Sequence, residues 1–166
     1  MRLKILKCVM ALLLLFFITI LVVNIRFVFQ THISYLAEPE TWTGKIVKAW
    51  YETCPHIEDS YHPNSPIGVV IAGREMFGDQ FESTLDTLLA CNHKLDSKDS
   101  IGLTPLHSAI IIGDLESVKV LIEKGANREI LLSGKVSEKY GQLTALGLAQ
   151  ALDDKPSIVK YLESLP

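Results

Sequence analysis

The feature that most restricts the fold of this chain is a pair of short helices, residues 99–127, that cannot bury its own apolar faces. Thr104 is placed to cap the first helix, and Pro105 suits its first turn, where a missing backbone N–H costs nothing. Gly113 separates the two helices, and Gly125 allows a left-handed C-terminal cap. The apolar side chains that need neighbours are Leu106, Ala109, Val118, Leu121 and Ile122. The stretch therefore predicts a stack of similar helix pairs.

A weaker copy of the pattern follows downstream, at an interval typical of a solenoid. Thr144 comes 40 residues after Thr104, and Val159 comes 41 residues after Val118. The proline and the histidine of the clear copy are replaced here, as is common in a terminal repeat. We expect this copy to cap the C-terminal end of the stack.

A third copy precedes the clear one. Residues 65–72 resemble its first helix, and residues 85–99 resemble its second helix and the turn that follows. Asn92 stands where the closing glycine would be, and asparagine tolerates the left-handed conformation better than most residues. Residues 74–80 lengthen the connection between the two helices. The chain is therefore predicted to contain three repeats.

This pattern resembles the ankyrin repeat. The residues that carry the resemblance are Gly102-Leu103-Thr104-Pro105-Leu106-His107, Ala109, Gly113 and Gly125-Ala126-Asn127. The resemblance covers residues 65–166 and implies an all-α solenoid of about three helix pairs. In that family the motif histidine braces the turn through hydrogen bonds, which gives His107 a structural role.

The N-terminus carries a long apolar run, residues 8–29, that is interrupted by Asn24 and Arg26 and otherwise contains a single hydroxyl, on Thr19. At about 1.5 Å per residue, a helix of this length reaches roughly 33 Å, enough for a hydrocarbon core of about 30 Å. Basic residues precede the run, and Glu38 and Glu40 follow it, so the positive-inside rule places the N-terminus in the cytoplasm. We expect residues 1–30 to be a single-pass transmembrane signal anchor, with a C-terminal domain that is periplasmic or otherwise extracytoplasmic.

The competing interpretation of this run is a cleaved secretory signal peptide, since a basic N-terminal region precedes the apolar core. The apolar run is longer than is usual for such a peptide, and Tyr35-Leu36-Ala37 is a poor cleavage site. A signal anchor fits the residues better.

Residues 31–64 are predicted to form a juxtamembrane linker, a capping helix and a polar loop. The linker occupies residues 31–39, and the helix occupies residues 40–53. The apolar residues on neighbouring turns of this helix are Trp42, Ile46, Val47, Trp50 and Tyr51. We expect the helix to cover the apolar face of the first repeat.

Cys54 and Cys91 occupy similar positions, each at the C-terminal end of a helix in adjacent layers of the predicted stack. They are able to pair in an oxidising compartment. A layer spacing of about 10 Å is wide for a disulfide, whose Cα atoms lie within about 7 Å of each other, although a break at Pro55 could bring them closer. The alternative is two half-buried thiols.

The resemblance also implies where a partner binds, because ankyrin proteins use the turns and the exposed positions of the first helices. These positions are Val69 and Ala72 in the first repeat and Ser108, Ile111 and Ile112 in the second. Two isoleucines at normally exposed positions indicate a binding surface. The alternative is that they pack under a neighbouring insertion.

An insertion, residues 128–139, lengthens the turn between the second and third repeats. We predict an extended hairpin with Ser133 and Gly134 at its tip. Long turns of this kind often carry function, and the alternative is a mere variation in length. The candidate partner-binding residues of this segment are Ile130, Leu131 and Leu132.

The sequence lacks the residues that several classes of function need. The net charge of −3 provides no basic stripe to neutralise phosphates, which argues against a nucleic-acid partner. The five histidines show none of the tight spacings of a zinc site, and no nucleophile, metalloprotease or P-loop motif is present. We expect no enzyme activity, no metal, no cofactor and no small-molecule substrate.

The expected function is therefore protein binding at a membrane. A rigid ankyrin stack binds a partner without first ordering flexible loops, and an anchor restricts the partner to molecules that reach the membrane. A short signal-anchored ankyrin protein that faces the periplasm resembles the immunity proteins that block secreted antibacterial toxins such as lipases. The alternative is a structural scaffold, or an assembly or stress-protection factor for a membrane or periplasmic complex.

Overall fold

The computed structural model describes residues 10–21, 33–54 and 65–166 of the chain. Every regular element in these ranges is a helix, which confirms the all-α prediction for them. The chain divides into two compact units, residues 1–32 and residues 33–166.

The described part of the first unit is helix α1, residues 10–21. All of its side chains are exposed, including a run of leucines and phenylalanines. Among the residues that the structure describes, no helix has both the length and the apolar character needed to cross a membrane. The remaining residues of the predicted anchor lie outside the described residues.

The second unit begins with a short 3-10 helix, Ile33–Ala37, and continues with nine α-helices among its described residues. Their bounds are α2 Trp42–Tyr51, α3 Pro66–Ala72, α4 Arg74–Phe77, α5 Phe81–Ala90, α6 Pro105–Ile112, α7 Leu115–Glu123, α8 Gly134–Tyr140, α9 Ala145–Ala151 and α10 Pro156–Glu163. The three predicted repeats are the pairs α3 with α5, α6 with α7, and α9 with α10. The first helices stack in one row, because α6 packs against α3 on one side and against α9 on the other.

The first helices of the three repeats begin with the same hydrogen bond. The hydroxyls of Ser65, Thr104 and Thr144 each accept a backbone N–H from three residues further on, at 3.0, 3.3 and 3.3 Å respectively. Asn92 and Gly125 follow the second helices α5 and α7 with positive φ angles of 62° and 91°. These left-handed residues confirm the predicted ends of the helix pairs.

The core runs without interruption through the three repeats. Its fully buried large side chains include Ile67, Ile71, Leu85, Leu88, Leu106, Ile110, Leu121, Leu148 and Ile158. Each repeat contributes apolar side chains to its neighbour, as the sequence requires of units that cannot bury their own faces.

The segment predicted as a linker, residues 31–39, contains the 3-10 helix Ile33–Ala37. Ile33 and Leu36 lie three residues apart, so both point to the same side of this helix, where they are buried. The backbone that follows this helix approaches α2 closely, because a Cβ atom at Gly44 would collide with the carbonyl oxygen of Glu38. These residues are therefore part of the core of the second unit.

The predicted capping helix is present as α2, but it packs mainly on the 3-10 helix Ile33–Ala37, which in turn packs on α3, α4 and α5. Val47 and Tyr51 are buried against the rest of the unit. Trp42 and Ile46 are 74% and 44% exposed, so their predicted place on the covering face was wrong. The 3.6-residue period of the helix puts them on the side opposite Val47 and Tyr51.

Cys54 and Cys91 form a disulfide, with their Cα atoms 4.9 Å apart. Cys91 ends α5, and Cys54 follows α2 in the left-handed conformation, with a φ of 50°. Because this turn directs Cys54 back towards the end of α5, the wide spacing expected between regular layers does not apply here. The bond ties α2 to the first repeat. The predicted loop that follows lies, in residues 55–64, outside the described residues.

The insertion between the second and third repeats is not the predicted hairpin, because its second half forms α8. Leu132 and Val136 are buried in the core. The backbone N–H of Val136 donates to the carbonyl oxygen of Ile101, at 3.2 Å, in the turn of the second repeat. A hairpin that projected into water would expose Leu132, so burial of apolar surface favours the docked helix. A Cβ atom at Gly102 would lie 2.0 Å from the Ser133 carbonyl oxygen, which shows how closely the two segments approach.

Breaking the disulfide should destabilise the second unit. A crosslink between residues 37 positions apart reduces the entropy of the unfolded chain, which is worth about 4 kcal/mol of stability. We expect Cys54→Ser to lower the free energy of unfolding of the oxidised protein by about 4 kcal/mol. The variant and the wild type should be equally stable in dithiothreitol. Urea titrations followed by circular dichroism measure both.

A thiol count is the control for this prediction. The chain has three cysteines, so the unfolded but unreduced wild type should show one reactive thiol, from Cys8. Three reactive thiols would contradict the disulfide.

Candidate protein-binding surface

The first helices of repeats one and two border an open cleft of about 230 Å³ on the surface of the stack. The cleft is lined by Ser65, Gly68, Ala72, Asp99, Leu103, Pro105, Ser108, Ile111 and Ile112. The structure thus brings together four of the predicted partner-binding residues, namely Ala72, Ser108, Ile111 and Ile112. They come from two separate repeats, as a shared binding surface requires.

The cleft presents apolar side chains to solvent. Ile112 is 53% exposed and Ala72 is also exposed, whereas Ile111 is half-buried and packs against the core. Among the described residues no insertion covers Ile112, so the alternative that both isoleucines pack under a neighbouring segment does not hold for this one. The Ser108 hydroxyl adds a polar group to the lining.

The cleft is also lined by Gly68, which the sequence reasoning did not single out. Gly68 lies 39 residues before His107 and occupies the same place after the N-cap of α3 as His107 does after the N-cap of α6. Glycine has no side chain, so this position adds only backbone atoms to the lining of the cleft. The signal that could have found it is the alignment of Ser65 with Thr104, which sets the register of the two first helices.

Asp99 holds the turn that forms one wall of the cleft. Its Oδ1 atom accepts hydrogen bonds from the backbone N–H groups of Ile101, Gly102 and Leu103, at 3.0, 2.9 and 2.9 Å respectively. The backbone N–H of Asp99 in turn donates to the Leu103 carbonyl oxygen, at 2.8 Å. With these bonds the turn is ordered before any partner arrives, so binding does not cost the entropy of ordering it.

His107 braces the same turn from below, which confirms the structural role implied by the resemblance. Its Nδ1 atom accepts a hydrogen bond from the backbone N–H of Thr104, at 3.3 Å, and lies 2.9 Å from the Thr104 hydroxyl. The ring proton is therefore on Nε2, which is buried and meets no acceptor in ordinary hydrogen-bond geometry among the described residues. Burial, with a smaller contribution from the positive charge of Lys98, lowers the pKa of His107 to about 4, although the Ile130 backbone opposes the shift.

An ion pair connects the two repeats that form the cleft. An Arg74 guanidinium nitrogen, Nη1, lies 3.1 Å from Asp114 Oδ1, and the guanidinium group lies over the ring of Phe81 at 5.4 Å from its centroid. Asp114 also caps α7 by accepting the backbone N–H of Ser117, at 3.1 Å. The extra residues between α3 and α5 thereby hold the start of the second helix of repeat two.

The other predicted partner-binding residues do not line the cleft. Val69 is half-buried and packs against the core. Leu132 is 1% exposed, so its prediction as a partner-binding residue was wrong, because the docked insertion buries it. Ile130 is half-buried, and Leu131 is 45% exposed on the insertion, where Lys98 donates to the Leu131 carbonyl oxygen at 2.8 Å.

The sequence reasoning also missed a second open cleft, of about 300 Å³, on the third repeat. It is lined by Arg128, Glu129, Leu146, Leu162, Glu163 and Leu165. No group of metal-binding side chains was found within the described residues.

The pKa of His107 predicts how stability depends on pH. The folded pKa of about 4 lies below the ordinary value of 6.5, so between these pH values the unfolded chain binds a proton that the folded chain does not. The free energy of unfolding should therefore fall by about 3 kcal/mol from this residue alone as the pH drops from 6.5 to 4. Above pH 6.5 the contribution is fully present.

The control for this prediction is His107→Gln, which removes the titrating group but not the carboxylates that titrate in the same range. Urea titrations at a series of pH values give the stability difference between wild type and variant. The free energy of unfolding of the wild type should decrease relative to that of His107→Gln as the pH falls. A difference that does not change with pH would contradict the buried, neutral histidine.

Comparison with known proteins agrees with this architecture. A family model described as ankyrin repeats, in three copies, matches residues 75–164, which is more than half of the chain. The match begins within α4, so the first helix of repeat one lies outside it. No curated protein matches the chain. Ankyrin repeats are typically non-catalytic modules that bind other proteins. On the evidence of this match and of its stacked helix pairs, the chain belongs to the ankyrin-repeat family.

Proposed function

We propose that this chain is a membrane-anchored binding protein that holds another protein in the cleft between α3 and α6. The observation that carries the proposal is the exposed apolar surface of Ala72, Ile111 and Ile112 on an ordered support. Covering apolar surface contributes roughly 25 cal/mol for each Å² removed from water. The Asp99 turn and the capped helices are already rigid, so little of this gain is lost in ordering the site.

The chemistry of the cleft indicates what kind of contact the partner makes. A cleft of about 230 Å³ with an apolar lining suits an apolar side chain that projects from the surface of a folded protein. The Ser108 hydroxyl is able to exchange a hydrogen bond with the partner backbone beside that side chain. A partner of this kind would gain both apolar burial and a fixed orientation.

The proposed location is a membrane, with the second unit on its extracytoplasmic side. The apolar run of residues 8–29 supports this, and its described part, α1, exposes every side chain. A helix that is apolar all round needs protein or lipid around it. The basic residues before the run support a cytoplasmic N-terminus. The disulfide between Cys54 and Cys91 supports an oxidising compartment for the second unit.

Within this function, we propose that the partner is a secreted toxin, such as a lipase, and that the chain is its immunity protein. The support is an analogy of architecture with such proteins, which combine a short anchor with a short ankyrin stack. An anchored inhibitor is concentrated at the surface where a membrane-attacking toxin arrives. A toxin bound through a projecting apolar side chain would be held at that surface.

Charges placed in the cleft should abolish binding. We expect Ala72→Asp with Ile112→Asp to prevent capture of the partner, because a carboxylate loses its hydration in an apolar interface. Both side chains are exposed, so the fold should be retained, as circular dichroism will show. The measurement is capture by the tagged full-length chain in mild detergent. The matched control is Met76→Asp with Leu131→Asp, since Met76 is 63% exposed outside the cleft and Leu131 lies on the insertion.

The outcomes separate the binding site from the toxin hypothesis. A partner retained by the control and lost by the cleft variant would support the cleft, whereas a partner retained by a folded cleft variant would reject it. Expression of the partner alone should then stop cell growth, and co-expression of the wild-type chain, but not of the cleft variant, should restore it. A harmless partner would reject the immunity role and leave a binding protein.

A further inference from the structure

Helix α2 has an apolar outer face as well as a buried one. Val47 and Tyr51 face the core, whereas Trp42 and Ile46 are exposed on the opposite side. At 100° per residue, Ala49 falls on the same side as Trp42 and Ile46, and it is also exposed. A tryptophan and an isoleucine one turn apart, both facing outward, form an exposed apolar surface that packing of α2 on the unit does not require.

The residues beside this outer face fit a lipid headgroup layer. Trp50 lies at one edge of the face and is half-buried, and Lys45 and Lys48 lie exposed at the other edge. Tryptophan is enriched at membrane interfaces, where its ring is partly apolar and its N–H reaches polar groups. Lysines at the border of an apolar face place their ammonium groups among phosphates, and here Lys48 is the better placed, since Lys45 Nζ lies 3.7 Å from the Glu40 carboxylate. Glu52 is exposed beside the lysines, so apolar burial contributes more than charge.

The connection between the predicted anchor and the second unit is short. The apolar run ends at Phe29, and Ile33 is already buried in the second unit. Four residue steps span at most about 14 Å, and an α-helix is about 10 Å wide. The length of the covalent chain therefore allows α2 to reach the headgroup layer of a bilayer that holds residues 8–29.

We propose that the outer face of α2, formed by Trp42, Ile46 and Ala49 with the edge of Trp50, lies in the headgroup layer of the bilayer. The inference rests on the membrane location given under the proposed function. Because the disulfide ties the end of α2 to the first repeat, insertion of this face fixes the orientation of the whole ankyrin stack. The cleft is then presented to its partner at a constant angle to the membrane.

The two tryptophans of the chain, Trp42 and Trp50, both lie in α2, so tryptophan fluorescence reports on this helix alone. The Trp50→Phe variant leaves Trp42 as the single reporter. We expect this full-length variant, reconstituted into vesicles of phosphatidylcholine and phosphatidylglycerol, to lose part of its emission when the acyl chains are brominated near their headgroup end. Acrylamide in the aqueous phase should quench Trp42 less in vesicles than in the urea-unfolded protein.

Two further variants test whether the outer face causes this quenching. Ile46→Gln, in the same background, should reduce quenching by the brominated lipid, since the face loses an apolar side chain. The matched control is Leu131→Gln, because Leu131 is exposed to nearly the same degree as Ile46 but lies on the insertion. Leu131→Gln should leave the quenching unchanged, and equal effects of the two substitutions would overturn the proposal.

Flotation of the vesicles separates failure of this inference from failure of the membrane location. A folded chain that floats with the vesicles and shows quenching by brominated lipid supports the interfacial helix. A folded chain that floats while Trp42 remains unquenched overturns the interfacial helix and leaves the membrane location standing. A chain that does not float overturns both. If Trp50→Phe fails to fold, the same comparison of Ile46→Gln with Leu131→Gln in the otherwise wild-type chain decides the question.

Discussion

Burial of apolar side chains between α3, α6 and α9 is the interaction on which the rest of the structure depends. These helices have only seven or eight residues, a length at which an isolated helix is marginal in water. Ile67, Leu106 and Leu148 are almost fully buried because each first helix packs against the next. The cleft lies on the edge of this row, so the apolar surface that it offers rests directly on the core.

Stacking of the first helices brings their N-terminal backbone groups into a crowded interior. These groups then need hydrogen-bond partners from the protein itself. Ser65, Thr104 and Thr144 satisfy part of this need, and Asp99 and His107 satisfy the rest in the turn of the second repeat. Keeping the histidine neutral allows it to accept a hydrogen bond while it is buried. The polar groups that line the turn therefore stabilise the same surface that is available to a partner.

The second unit is completed at each side by segments that do not belong to the repeat pattern. The 3-10 helix and α2 cover one side and are fastened by the disulfide, and α8 docks against the turn of the second repeat. These additions bury apolar side chains of their own, namely Leu36, Val47 and Leu132, in the core of the unit. Exposed apolar side chains remain at Ile112 in the cleft and at Trp42 and Ile46 on the outer face of α2, and also at Met76, Ile101 and Leu131.

The sequence by itself determined the helix pairs and their caps, and its resemblance to ankyrin repeats implied first-helix positions that line the cleft, including Ala72 and Ile112. The helix pairs and caps follow from local rules, because a cap, a left-handed residue such as Asn92 and the 3.6-residue period act within a few residues of the chain. Only the tertiary structure decided that Leu132 is buried, that the insertion forms a helix and that Trp42 faces outward. Each of these depends on which neighbouring segment packs against a given helix face. Such contacts join residues far apart in sequence, and burial of apolar side chains in them outweighs the local conformational preference of the segment.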